Sequence, residues 1–209
     1  MKRMRYTASS MHLIRTAEKL YGERGIFGVS LREIASVAGN GNIHAVKYYF
    51  GNRDGLVKEI FQSRMIEMEP MRESLLNDAI SSGKSQDCLS LITALCLPMA
   101  SMTDNEGIHT YASFHNQHRS TYFKNSDDHK SIRFIETSPV ISEITEKLIS
   151  CLDHLSPSMV RDRIGYCFMM FCDMLIQTDM KKREGEPICK SYAQDVLIMM
   201  DAALRAPRV

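Results

Sequence analysis

The 209-residue chain reads as all-α, a three-helix unit followed by a larger helical one, on three observations. Apolar residues recur at three- and four-residue spacing in each long segment between Ser10 and Leu204. Capping signals (Ser30 with Glu33, Asn52, and Ser156 ahead of Pro157) stand where such segments should begin. Stop signals such as Gly25, Gly39 and Ser81-Ser82-Gly83 stand where they should end.

Residues 1–9 hold Lys2, Arg3 and Arg5 and no acid, a basic arm. From Ser10 to Arg24 the set Leu13, Ile14, Ala17, Leu20, Tyr21 marks an amphipathic helix closed by Gly25. Ser30 and Glu33 form a capping box, S-x-x-E, that opens a second helix with Leu31, Ile34, Ala35 and Ala38 on its apolar face. Gly39 and Asn40-Gly41-Asn42 tolerate the positive φ of a sharp reversal. A third, short helix then sets Ile43, Val46 and Phe50 against His44, Lys47 and Tyr48 on the other side. Too short to be stable alone, it must rest its apolar side on the second helix and turn the polar side outward. Two helices joined in this way form a helix-turn-helix, whose second member enters the major groove of DNA.

Asn52 caps a long helix with Leu56, Ile60, Phe61, Met65, Met68 and Met71 on one face, kinked at Pro70 and ended at Ser81-Ser82-Gly83. Its first turn, with Arg53, offers free amides to a phosphate. Further helices are expected over Gln86–Met102 (bent at Pro98), Glu106–Phe123 and Pro139–Leu155, with a polar loop over Asn125–Lys130. Ser156 and Pro157 open the next helix. Its middle, Ile164–Ile176, is apolar on all sides except at Asp173, which predicts cover from a partner subunit. Lys181–Glu186 is a charged turn, and Tyr192–Leu204 a last helix. Residues 1–52 are expected to form the helix-turn-helix domain and residues 53–209 a second, larger helical domain.

Composition narrows the function. Residues 1–64 carry eleven Lys/Arg against five Asp/Glu, a net of +6, while residues 65–209 carry fifteen against twenty, a net of −5. The basic part is the part with the helix-turn-helix, as phosphate binding requires. No run of eighteen apolar residues occurs and no signal-like segment follows Met1-Lys2-Arg3, so a cytoplasmic protein without a membrane partner is expected. The six cysteines (88, 96, 151, 167, 172, 189) contain no C-x-x-C pair, which predicts reduced, buried thiols. There is no G-x-S-x-G, phosphate loop, H-E-x-x-H or clustered carboxylate pair with a nucleophile, so no catalytic residue, metal site or cofactor is assigned and an enzyme is not expected.

From about Ser10 to Leu56 the chain resembles the N-terminal domain of the TetR family of transcriptional regulators. The matching residues are Ile14, Ala17, Leu20, Tyr21, Glu23-Arg24-Gly25, Ser30, Ile34-Ala35, Ala38-Gly39, Tyr48-Tyr49-Phe50, Arg53 and Leu56. Three features depart from the commonest pattern: a turn one residue longer, Lys47 in place of a Tyr, and Tyr49 in place of a His. GNGNIHAVKYYFG is closer to a family variant with an Asn-rich turn.

For DNA contact the geometry nominates Asn42, His44, Lys47 and Tyr48, with Tyr49 divided between groove and core. The resemblance adds Arg32 at the groove and Arg53 on backbone phosphate. It also implies that residues 1–52 are the DNA-binding domain and residues 53–209 the effector-binding and dimerisation domain, that the long helix after Asn52 joins the two, and that the last two long helices pair across a twofold axis. Tyr166, Met170 and Met174 on one of them, and Met199, Met200 and Leu204 on the other, are the expected dimer-interface residues.

An effector pocket is expected among Met65, Met68, Met99 and Met102, whose thioethers adapt to varied apolar ligands. Phe114, Phe168 and Phe171 would line it, while His115, His118 and Asp173 would supply polar contacts. The resulting expectation is a homodimeric repressor released from a palindromic double-stranded operator by a small, largely apolar effector. A metal- or thiol-responsive regulator of the same fold, using His109, His115 and His118 or Cys167 and Cys172, is the alternative.

Overall fold

The computed structural model describes residues 6–39, 43–125, 138–188 and 191–207. Residues 1–5 of the basic arm, the Asn40–Asn42 turn with the DNA-contact candidate Asn42, most of the Asn125–Lys130 loop and Cys189 lie outside them. Within the described residues the chain is helical, with no strand.

The helix α1 (Ala8–Arg24) starts two residues before the expected Ser10 because Thr7 caps it. Thr7 and Ser10 form a reciprocal capping box there, each side chain serving the other's backbone N–H. Leu13, Ile14, Ala17 and Tyr21 are wholly buried. In α2 (Leu31–Val37) Ser30 caps as expected, its Oγ accepting from Glu33 N at 3.1 Å. The predicted return bond of that box is replaced, because the Glu33 carboxylate pairs with Arg24 at 2.6 Å. A charged partner offers a stronger bond than a backbone amide already open to water.

The short α3 (Ile43–Phe50) rests on α2 and α4. The helix α4 (Arg53–Ser81) is one unbroken α-helix with Pro70 inside it, capped by Asn52 Oδ1 on Gly55 N at 2.8 Å. Gly55 allows α4 to begin directly under α3, since a Cβ there would lie 2.0 Å from the Phe50 carbonyl oxygen. Packing against α1 and α3 near its start, and α5 and α7 further along, α4 runs through both parts of the molecule.

The predicted helix over Gln86–Met102 divides. An α-helix, α5 (Cys88–Cys96), gives way at Pro98 to a 3-10 segment, Leu97–Ser101. Then follow α6 (Thr110–Asn125), α7 (Pro139–Cys151), α8 (Pro157–Glu184) and α9 (Tyr192–Arg205). The charged stretch after Lys181 is the last turn of α8 rather than a loop, and Gly185 in the left-handed region closes it.

Packing of α1 on α6 joins the N-terminal helices to the rest. Gly22 makes the approach possible: a Cβ there would sit 3.0 Å from Phe114 N and 3.1 Å from Thr110 O. Beside it, Glu18 is wholly buried and receives Arg64 Nε at 2.7 Å, Arg64 Nη2 at 2.6 Å and Thr110 Oγ1 at 2.7 Å. One carboxylate therefore ties α1, α4 and α6 together.

Candidate nucleic-acid interface and the helical core behind it

The face of α3 divides as its sequence pattern predicts. Val46 is fully buried and Phe50 nearly so, anchoring the helix. His44 and Lys47 are exposed, and Tyr48 is 84% exposed. Tyr49 is 39% exposed and sets its ring edge-on to Tyr48 at 5.2 Å, so it belongs to the same outward patch. Arg32, in the first turn of α2, is exposed as well. Ammonium, imidazole and phenol groups thus share the outward side of α3, and a guanidinium stands exposed on the helix before it, a donor-rich set suited to phosphates and to the acceptor edges of purines.

Arg53 makes contacts within the chain as well. Its side chain folds back over the loop after α1, Nη2 donating to Val29 O at 3.2 Å and the guanidinium lying 5.2 Å from the Phe27 ring centroid. Its Nε is buried without a hydrogen-bond partner. The aromatic face and the open carbonyl hold this partly exposed arginine against the loop after α1. Gly55 N in the same helix turn is likewise already bonded to the Asn52 cap.

Behind this surface, the nominated pocket residues lie mostly in one apolar core between α4, α5, α6 and α8. Met68, Met99, Phe114 and Phe171 are buried, and Met65, Met102 and His118 nearly so. The His115 ring lies 4.9 Å from Phe168 and 5.7 Å from Phe61, with its Nδ1 buried and unpartnered. Burial holds the ring neutral, with a pKa down to about 3, and His118 is pushed down to about 4 for the same reason. Asp173 does not join them. It is exposed on α8 between buried Cys172 and Met174, because the helical turn that buries its neighbours points it outward.

The dimer-interface expectation also needs correction. Met174 is nearly buried, and Met200 and Leu204 wholly so, within the single chain where α9 packs on α8 and α5. They are core residues of the subunit and unavailable to a partner. Met170 is half-buried. The outward apolar residues are Tyr166 (63% exposed) and Met180 on α8, with Ile198 and Met199 on α9. The stretch Ile164–Ile176 is therefore not covered all round within one chain.

Sequence reasoning missed the buried charges, Glu18, Arg64, Arg72 and Asp179. Each falls at helical spacing among the apolar residues of its own helix, which was the available signal. Asp179 accepts from His109 N at 2.7 Å and meets His109 Nδ1 at 2.8 Å, and His109 Nε2 lies 3.2 Å from Ala100 O. That histidine is thereby committed away from His115 and His118. Among the described residues no group of three His, Cys, Asp or Glu is placed to hold a metal ion.

The chain matches the crystal structure of a HlyIIR mutant with residues 170–185 substituted by alanine. The match covers 95% of this chain and 96% of that one, with a TM-score of 0.54 and 16% sequence identity. The fold is that of the TetR family. Two further HlyIIR mutants, with residues 169–186 substituted by linkers, align at TM-scores of 0.43 and 0.42 and 18% and 16% identity, over 93% and 96% of this chain and 96% and 98% of theirs. No family model and no curated protein sequence matches the chain. In TetR-fold terms, α2 and α3 are the helix-turn-helix and α4 to α9 the C-terminal helical part. No helix among the described residues is long and apolar enough to cross a membrane.

Proposed function

We propose that this chain is a TetR-family regulator of transcription: a homodimeric repressor that binds a palindromic double-stranded DNA operator and leaves it when a small, largely apolar effector binds. The observation that carries the reading is the division of α3, with Val46 and Phe50 inside and His44, Lys47 and Tyr48 outside. A helix of eight residues held by two apolar anchors presents its remaining side chains to a partner. The net charge of +6 on residues 1–64 supplies the field that a phosphate backbone calls for. Tyr166, Met180, Ile198 and Met199 leave apolar area on two adjoining helices, which a second copy would cover.

Residues 1–52 would read DNA and residues 53–209 would bind effector and pair the subunits, with α4 linking the two. Effector binding would favour a conformer whose α3 helices are wrongly spaced for successive major grooves, and DNA would weaken effector binding by the same factor. A thiol-responsive alternative is disfavoured because burial pushes Cys167 up to about 11 and Cys172 higher still, so both stay protonated. The metal-responsive alternative lacks a ligand set, since His109 is held by Asp179.

Selection of bound duplexes from a random-sequence library, followed by footprinting, tests the reading. A palindromic consensus is expected, with the footprint abolished in a Lys47→Ala, Tyr48→Ala double variant that still sediments as a dimer. A footprint unchanged in that variant would overturn the assignment.

A further inference from the structure

The core between α4, α5 and α6 contains a cation with almost nothing to hold it. The side chain of Arg72 is 2% exposed, yet its five N–H donors meet only soft or distant acceptors. Nε reaches Leu95 O at 3.5 Å, Nη2 the Met68 sulfur at 3.5 Å and Nη1 the Met65 sulfur at 3.9 Å. Glu69 lies 3.9 Å from Nη1, at the far edge of an ion pair, and is held at that distance by Ser138 Oγ, which donates to its two oxygens at 2.6 and 2.7 Å. Thioethers are weak acceptors, and a buried guanidinium without a close carboxylate is costly. Burial accordingly lowers the pKa of Arg72, while the neighbouring Arg64 is fully matched by Glu18 and Glu67. A structural arginine would look like Arg64.

We propose that Arg72 receives the carboxylate of the effector, an amphipathic monocarboxylic acid whose apolar chain lies among Met65, Met68 and the aromatic rings of α6. This rests on the reading of the chain as a ligand-responsive regulator and names the ligand's chemistry. The guanidinium fork matches a carboxylate in two parallel bonds. With Glu69 only at the edge of ion-pair distance, the guanidinium is weakly matched and has room for one more negative charge, which favours a carboxylate over a doubly charged phosphate monoester. The methionines that now contact Arg72 are flexible and can swing aside for the incoming chain. Tyr111 and His115 continue the same wall of α6, and the unpartnered His115 Nδ1 offers a second polar contact there.

Calorimetric titration of the full-length protein without DNA tests this, using straight-chain acids from hexanoate to tetradecanoate with the matching alcohols as neutral controls. At least one acid is expected to bind more tightly than its alcohol by about tenfold or more. In Arg72→Met, which fills the same space with an apolar side chain, the acid should lose that advantage while the alcohol keeps its affinity. Equal affinity of acid and alcohol for the wild-type protein, an undiminished acid affinity in Arg72→Met, or no binding of any acid would each overturn the proposal. Should the variant fail to fold, the comparison of acid with alcohol on the wild-type protein decides alone. Operator binding measured without ligand reports separately on the regulator reading.

Discussion

Glu18 and Arg64 meet in a two-point ion pair that both burial and chain topology make central. The carboxylate on α1 takes two guanidinium N–H groups from α4, at 2.7 and 2.6 Å, and Thr110 of α6 closes the site. Removing Arg64 leaves the buried Glu18 carboxylate with only the partly exposed Arg15 guanidinium, 3.1 Å away, and breaking a buried pair of this kind costs about 3–5 kcal/mol. Arg64→Met should therefore lower the unfolding free energy by that order in urea denaturation. Glu18→Leu combined with Arg64→Met should recover much of the loss, since no buried charge then remains unmatched.

Gly22 offers a test of how closely α1 and α6 must approach. An alanine in the middle of a helix ordinarily gains about 1 kcal/mol over glycine. Here the added methyl would press on backbone atoms of Phe114 and Thr110 at 3.0 to 3.1 Å, which cannot rotate away as a side chain could. Overpacking of this kind costs about 1–3 kcal/mol, so Gly22→Ala should lower the melting temperature. A rise would mean that the two helices part without cost.

The two core histidines set a pH dependence of stability. Burial lowers His115 to about 3 and His118 to about 4, with His118 and Arg119 adding repulsion at His115. In the unfolded chain both titrate near the ordinary histidine value of about 6.5. Below that pH the unfolded state binds more protons than the folded one, so stability falls as the solution is acidified and levels off above it. The slope is on the order of 1.4 kcal/mol per pH unit per histidine. Urea titrations between pH 7.5 and 4.5 should show the decline, and His115→Phe should reduce its slope by about half.

Arg53 separates a structural role from a phosphate contact. It braces Val29 O and the Phe27 ring. Arg53→Ala should lower the melting temperature by a few degrees, about 1 kcal/mol in a protein of this size. The salt dependence of DNA binding should stay unchanged, whereas Lys47→Ala should make the salt slope shallower by about one for each phosphate the lysine neutralises. A shallower salt slope in Arg53→Ala would support the phosphate assignment.

The helices and the polarity of α3 were legible in the chain because caps, glycines and helical spacing act locally. Ser30, Asn52 and Ser156 all cap where they were expected to. Glu33 shows where local reasoning stops, since its carboxylate is drawn off by Arg24, nine residues earlier. Met200 and Leu204 illustrate a second limit. Periodicity identifies an apolar face but does not say whether the subunit's own α5 and α8 or a second copy will cover it. Arg72 shows a third, for an arginine on a long helix ordinarily reads as a solvated residue, and only the packing of α5 and α6 shuts it in.

The unbroken run of α4 carries a mechanical consequence. At about 1.5 Å per residue, the stretch from Arg72 back to the Asn52 cap measures about 30 Å, a rigid lever ending beneath α3. Every degree of tilt at its far end sweeps the near end through about half an ångström, so ten degrees moves it about 5 Å, more than the roughly 3.4 Å rise between phosphates along one DNA strand.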